Sequence, residues 1–167
     1  MEVREIRPDE YDEAGRVTAL SYLEFVLPGE TSWEEYLDEI ADVAGRAGRS
    51  LVLVAAEDER ILGSATLELG ERIDDEDPPL AADEAHLRML GVDPDARGRG
   101  IARALIDACF DRARRAGRSR MTLHTTMRMP IARGMYERMG FHRLEDRVFP
   151  DGFVLLTFEK AIPPAEP

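Results

Sequence analysis

Apolar residues recur along the first seventy positions at two different periods. Residues 3–7, VREIR, alternate as a short strand does, and Pro8-Asp9 then opens a helical stretch to about Val26 that carries apolar Tyr11, Ala14, Val17, Ala19, Leu20 and Leu23. Pro28-Gly29 stops it. Thr31 or Ser32 followed by Glu34 and Glu35 marks a second helix start, and Trp33, Tyr36, Leu37, Ile40 and Val43 form its apolar stripe up to Gly45 and Gly48. The period then changes. SLVLVAAE (50–57) is apolar throughout, as a strand buried on both faces is, and Asp58-Glu59-Arg60 turns it into ILGSATLEL (61–69), which predicts a hairpin.

GERIDDEDPPLAAD (70–83) has no period, is acidic and contains Pro78-Pro79, so it predicts a surface loop or flexible flap. EAHLRMLGV (84–92) alternates again, with His86, Arg88, Leu90 and Val92 on one face and Ala85, Leu87 and Met89 on the other. A helix from Gly98 or Arg99 to Ala116 buries Ile101, Leu105, Ile106, Cys109, Phe110 and Ala113, and Gly117 closes it. Then come a strand at 120–125, a short helix from Pro130 to Gly140, and strands at 141–149 and 153–160 joined by Pro150-Asp151-Gly152. The order βααβββαβαββ predicts one α/β domain over residues 1–167.

Composition narrows the function classes. A chain of 167 residues buries a real core, no stretch is long enough to span a membrane, and MEVREIRPDE is too charged for a signal peptide. A cytoplasmic protein with no membrane partner is expected. Cys109 is the single cysteine, and His86, His124 and His142 are scattered, so neither a disulfide framework nor a metal site is indicated. A net charge of −12 argues against nucleic acid as partner, because phosphate contacts need a basic face. The charge is unevenly spread: residues 1–96 hold 8 Arg or Lys against 26 Asp or Glu, and residues 97–167 hold 14 against 8. An anion would prefer the second part and a cation the first.

The chemically informative stretch is RGRGIARALI (97–106). The helix that starts there has no Ser, Thr, Asp or Asn in the usual capping position, so several N–H groups lack an internal partner. Glycines allow close backbone approach, and the positive end of the helix dipole favours negative charge, which suits the turn to a phosphate. The alternative is that Gly98 only caps the helix while Arg97 and Arg99 are solvated. A nucleoside-triphosphate loop is excluded by the lack of GKS or GKT, and a dinucleotide loop because its third glycine would fall on Arg103.

RGRGIA (Arg97 to Ala102), the preceding MLGVDPDA and the later ARGMYERMGF (132–141) together resemble the GNAT superfamily of acetyl-CoA-dependent N-acetyltransferases, whose phosphate loop reads Arg/Gln-x-x-Gly-x-Gly/Ala. The resemblance implies a mixed, mostly antiparallel central sheet with helices on both faces. It also implies that the amides of Gly98, Arg99, Gly100, Ile101 and Ala102 cradle the pyrophosphate of acetyl-CoA, the co-substrate, while Arg97, Arg99, Arg103 or Arg133 reaches its other phosphate. The fourth and fifth strands are expected to splay, with Gly91 at the bulge responsible, so that the backbone of Leu90, Gly91 and Val92 faces the pantetheine arm. A close packing contact is the other reading of Gly91. The Val92 N–H is then placed for the oxyanion, Tyr136 for the general acid, and Glu84 or His86 for the base. Met129 stands where many members carry an Asn, and Tyr22, Trp33 and Tyr36 fall in the region that shapes the acceptor site. The expected reaction is direct transfer of an acetyl or short acyl group to a small amine, with a cationic one favoured by the acidic first part. The alternatives are a protein or peptide acceptor and a non-catalytic acyl-CoA-binding module; a homodimer rests on analogy alone.

Overall fold

The computed structural model describes residues 1–167. Its strands are β1 (Glu2–Glu5), β2 (Leu51–Glu57), β3 (Arg60–Glu68), β4 (Glu84–Val92), β5 (Arg120–Thr125), β6 (His142–Arg143), β7 (Arg147–Val148) and β8 (Val154–Ala161). Its helices are α1 (Tyr11–Tyr22), α2 (Thr31–Ala41), α3 (Val43–Ala47), α4 (Ile101–Arg115) and α5 (Pro130–Arg138). The sheet runs β1-β2-β3-β4-β5-β8-β6, with β7 also on β8. All neighbours are antiparallel except β4 and β5.

The apolar run of β2 is explained by burial from both sides. Val52, Val54 and Ala56 pack with Ala14 of α1 and Val43 of α3, whereas Leu53 and Ala55 face the larger core with Leu105, Ile106 and Cys109 of α4. Helices therefore cover both faces. No helix is long and apolar enough to cross a membrane.

Several boundaries differ from the sequence expectation, each for a local reason. The second helix breaks at Asp42, whose carboxylate accepts the Gly45 N–H (2.9 Å) and so starts α3 as a separate turn. The helix expected from Gly98 or Arg99 begins at Ile101, because Gly98 (φ 80°) and Gly100 (φ 76°) are left-handed and cannot enter a right-handed helix. The strand expected at 141–149 is two short pieces on β8, separated where Arg143 turns back onto Asp146 (2.8 Å). The 70–83 loop is tied down: Glu68 accepts the Ile73 N–H (2.7 Å), and Asp77 is bonded by Arg72 and Arg88 (both 3.1 Å) and by Arg147 (2.7 Å).

The most consequential difference lies in β4. Arg88 faces Thr66 and Gly91 faces Ser64, so Met89 and Leu90 together oppose Ala65, and Met89 takes φ 51°. The bulge is therefore at Met89–Leu90 and not at Gly91. It shifts the alternation by one residue. Leu90 and Val92 pack on the core side with Ala85 and Leu87, instead of sharing a face with His86 and Arg88. Gly91 turns to α1, where a Cβ would fall on Ser21 Oγ; its glycine serves the close approach of that helix.

Candidate active site

β4 and β5 are paired only from Glu84/Arg120 to Leu87/Leu123. Beyond Leu87, β4 continues beside β3 alone, while β5 continues beside β8 to Thr125. One edge of β4 is thus open from Arg88 to Val92. The Asp93 N–H donates to Leu62 O (2.8 Å), so by the alternation of an antiparallel ladder the Val92 N–H points away from β3 and into the gap.

The open edge leads to the glycine turn. Gly100 is the N-cap of α4 and supplies no side-chain cap, and the first bond of the helix is Ala104 N–H to Gly100 O (3.0 Å). The amides of residues 97–103 donate to nothing in the protein. A Cβ built on Gly98 or Gly100 would meet no atom within 4 Å, so the turn needs glycine for its backbone conformation and leaves open space above it. A ring of unpaired N–H groups at a helix N-terminus fits a pyrophosphate. Around it, Arg97 is paired with Glu24 (2.6 Å), Arg99 is bidentate to Glu57 (2.8 and 2.9 Å), and Arg103 is 67% exposed beside Asp107. Exposed pairs of this kind are weak. The Arg133 Nε is buried without a partner.

Tyr136 of α5 is buried and stacks edge-on to Phe141, with ring centroids 5.7 Å apart, and against Phe158 at 6.4 Å. Phe158 is the β8 partner of Leu123, the last β5 residue joined to β4, so Tyr136 sits at the level where the strands part. Burial pushes its hydroxyl well above the usual tyrosine range and keeps the proton on it at neutral pH.

On the other face of the split lies a cavity of about 510 Å³, enclosed by the α1–α2 connection, the 70–83 loop and the β7–β8 hairpin. Tyr22, Trp33 and Tyr36 form one wall as edge-to-face pairs 5.8 to 6.3 Å apart. Met129 lines it too, and its sulfur accepts from the Thr125 hydroxyl. His86 reaches the cavity from β4 and His124 from β5, with ring centroids 4.8 Å apart. Burial depresses both imidazoles, and for His86 the neighbouring His124 adds to the effect, so both are neutral at pH 7. Glu84 does not line the cavity. Its carboxylate is held at the start of β4 by Thr122 (2.7 Å), the Ala81 N–H (3.1 Å) and Arg120 (3.3 Å).

His124 and Thr122 were not among the expected site residues. They share one face of β5 by period two, but their approach to His86 comes from the β4–β5 register, in which His86 faces Thr122. Asp77 is equally absent from the expected set. Burial acts to raise its carboxyl, but the Arg147 hydrogen bond and the charges of Arg72 and Arg88 outweigh that and hold it below the usual range. Cys109 is fully buried in the core, and its thiol is pushed up to about 12.

The chain has relatives among known proteins. A mycothiol acetyltransferase of Beutenbergia cavernae is 42% identical over 64 residues, 38% of this chain and 21% of that protein. The chain spans 21–40% of the length of the curated relatives it matches. Among solved structures, the ribosomal-protein-S18-alanine N-acetyltransferase of Escherichia coli has a TM-score of 0.69 at 18% identity, over 99% of this chain and 96% of that one. An aminoglycoside 6'-acetyltransferase type Ii has a TM-score of 0.69 at 18% identity, over 99% and 100%. These structures share the fold, and residues 11–141 match the Acetyltransferase (GNAT) family. With the match running across most of the chain, from α1 to the end of α5, this protein belongs to the GNAT acetyltransferases.

Proposed function

We propose that the protein moves an acetyl or short acyl group from its coenzyme A thioester directly to a small cationic amine. The observation that carries this reading is a continuous path: unpaired amides at the start of α4, the open edge of β4, and a gap flanked by Tyr136 on one side and His86 on the other. Acetyl-CoA supplies the activated acyl group. Gly98 to Arg103 offer backbone donors to its pyrophosphate, and Arg103 and Arg133 stand nearest to free for the remaining phosphate. The open edge of β4 accepts an extended arm as an added strand would be accepted.

His86 takes one proton from the acceptor ammonium, which frees the nitrogen lone pair to attack the carbonyl carbon. The Val92 N–H donates to the carbonyl oxygen as negative charge develops there. As the C–N bond forms and the C–S bond breaks, Tyr136 gives its proton to sulfur and regains one from the new amide nitrogen. One proton in all leaves through His86. A volume of about 510 Å³ suits a small molecule better than a protein surface. Three carboxylates on the cavity wall, Asp74, Glu76 and Asp151, form no ion pair, which supports a cationic acceptor.

A panel of amines, amino sugars and peptides assayed for release of coenzyme A thiol tests the reading. Turnover of small cationic amines is expected. Binding of acetyl-CoA without turnover of any amine would make the protein a binding module instead.

A further inference from the structure

The contacts behind His86 have a direction that follows from counting protons. Glu84 Oε2 accepts from the Ala81 N–H and from Arg120, and the carboxylate can only accept, so in its 2.7 Å contact with Oε1 the Thr122 hydroxyl is the donor. A hydroxyl has one proton. With that proton on Glu84, Thr122 Oγ1 must accept in its 2.8 Å contact with His86 Nδ1, so Nδ1 carries the hydrogen. The lone pair is then on Nε2, which makes no hydrogen bond to the protein, on a ring that lines the cavity. The alignment is built by the sheet: Glu84 and His86 are two residues apart on one face of β4, and Thr122 is the direct partner of His86 across the parallel pair.

We propose that Glu84 and Thr122 are positioning residues that lock His86 in its Nδ1–H tautomer, making Nε2 the atom that takes the proton from the acceptor. The use of that proton rests on the acyl-transfer reading; the tautomer does not. When Nε2 is protonated, the Nδ1–H already points through Thr122 toward a carboxylate. The surroundings of the ring are mixed. Arg88 on β4, His124 on β5 and Arg72 from the 70–83 loop oppose a second positive charge. Glu68 faces His86 from β3, and Asp77 of the loop, itself paired with Arg147, favours a charge on the neighbouring His124.

Long-range 15N–1H NMR of the labelled protein reads the tautomer directly, since the chain has three histidines and a His86→Gln variant identifies the signals. Wild type is expected to show protonated Nδ1 and bare Nε2 at pH 7.5. Thr122→Val should lose this preference, and Thr122→Ser should restore it. With an acceptor in hand, Thr122→Val should lower kcat roughly tenfold or more with the KM for acetyl-CoA within about twofold, and Thr122→Ser should recover the rate. A wild-type ring protonated on Nε2, or a Thr122→Val protein with an unchanged tautomer, overturns the relay. The wild-type spectrum needs no substrate, and only the assignment of its signals draws on a variant. Failure of every amine to be acetylated would overturn the acyl-transfer reading instead and leave the tautomer result standing.

Discussion

Tyr136 illustrates what burial does to a single proton: at 6% exposure, between Phe141 and Phe158, its hydroxyl has lost the water that would stabilise a phenolate. It therefore stays protonated at neutral pH, as the general acid of the proposed reaction must. Tyr136→Phe removes the hydroxyl and keeps the packing. It is expected to lower kcat by roughly tenfold to a thousandfold in single-turnover kinetics, with acetyl-CoA affinity by calorimetry nearly unchanged. The two cavity histidines give a different prediction, about stability. Both are depressed below 6.5 in the folded protein, so between that value and their folded-state values the unfolded chain binds more protons. Stability is then complete above about pH 6.5 and is lost as pH falls below it. Thermal unfolding at pH 7.5 and at pH 5 should show a lower Tm in acid. The difference should shrink in His86→Gln, and an equal drop in both proteins would remove His86 from the linkage.

At the scale of elements, the β4 bulge does two things at once. It frees one edge of the strand, and it turns Gly91 toward α1, where the helix approaches to Ser21 and Thr18. Gly91→Ala should cost about 1–3 kcal/mol by overpacking this contact, and Ser21→Ala should recover part of the loss in a double-mutant cycle on denaturant midpoints. Additive effects would show that the helix does not press on the strand there. The glycine turn differs, because nothing crowds Gly98 or Gly100. Replacing both by Val is expected to abolish acetyl-CoA binding by filling the space over the amides, and to cost about 1–2 kcal/mol per residue for an L side chain at positive φ. Unchanged affinity by calorimetry would move the phosphate site elsewhere.

Across the whole molecule, the acidic excess of residues 1–96 is not spent uniformly. Asp77 and Glu68 are absorbed by Arg72, Arg88 and Arg147, and Glu30 by Arg128, whereas Asp74 and Glu76, joined at the cavity wall by Asp151 from the later part of the chain, form no ion pair. If these three carboxylates draw a cationic acceptor inward, kcat/KM for it should fall as salt rises past the range where the screening length drops below about 10 Å. A variant with Asp74, Glu76 and Asp151 as Asn, Gln and Asn should start lower and lose that dependence. Indifference to both changes would detach the charge asymmetry from recognition.

Much of this was legible in the residues themselves. The period of the apolar positions located the strands and helices, and the uncapped RGRGIA turn announced its free amides, because propensity, capping and glycine conformation act within a few residues. The alternation of β4 could not be carried through Met89, since a bulge depends on how Ala65 of β3 is shared by two residues facing it. Nor could the chain show that Thr122 would stand between Glu84 and His86, that His124 would stack on His86, or that three arginines would close on Asp77. Sequence by itself determined most of the elements and the uncapped glycine turn, and the family resemblance pointed to Tyr136 as the candidate acid. Tertiary structure alone decided which edge is open, which nitrogen of His86 meets Thr122 and which carboxylates are left unpaired, because strand register and ion pairing join residues tens of positions apart and are set by packing.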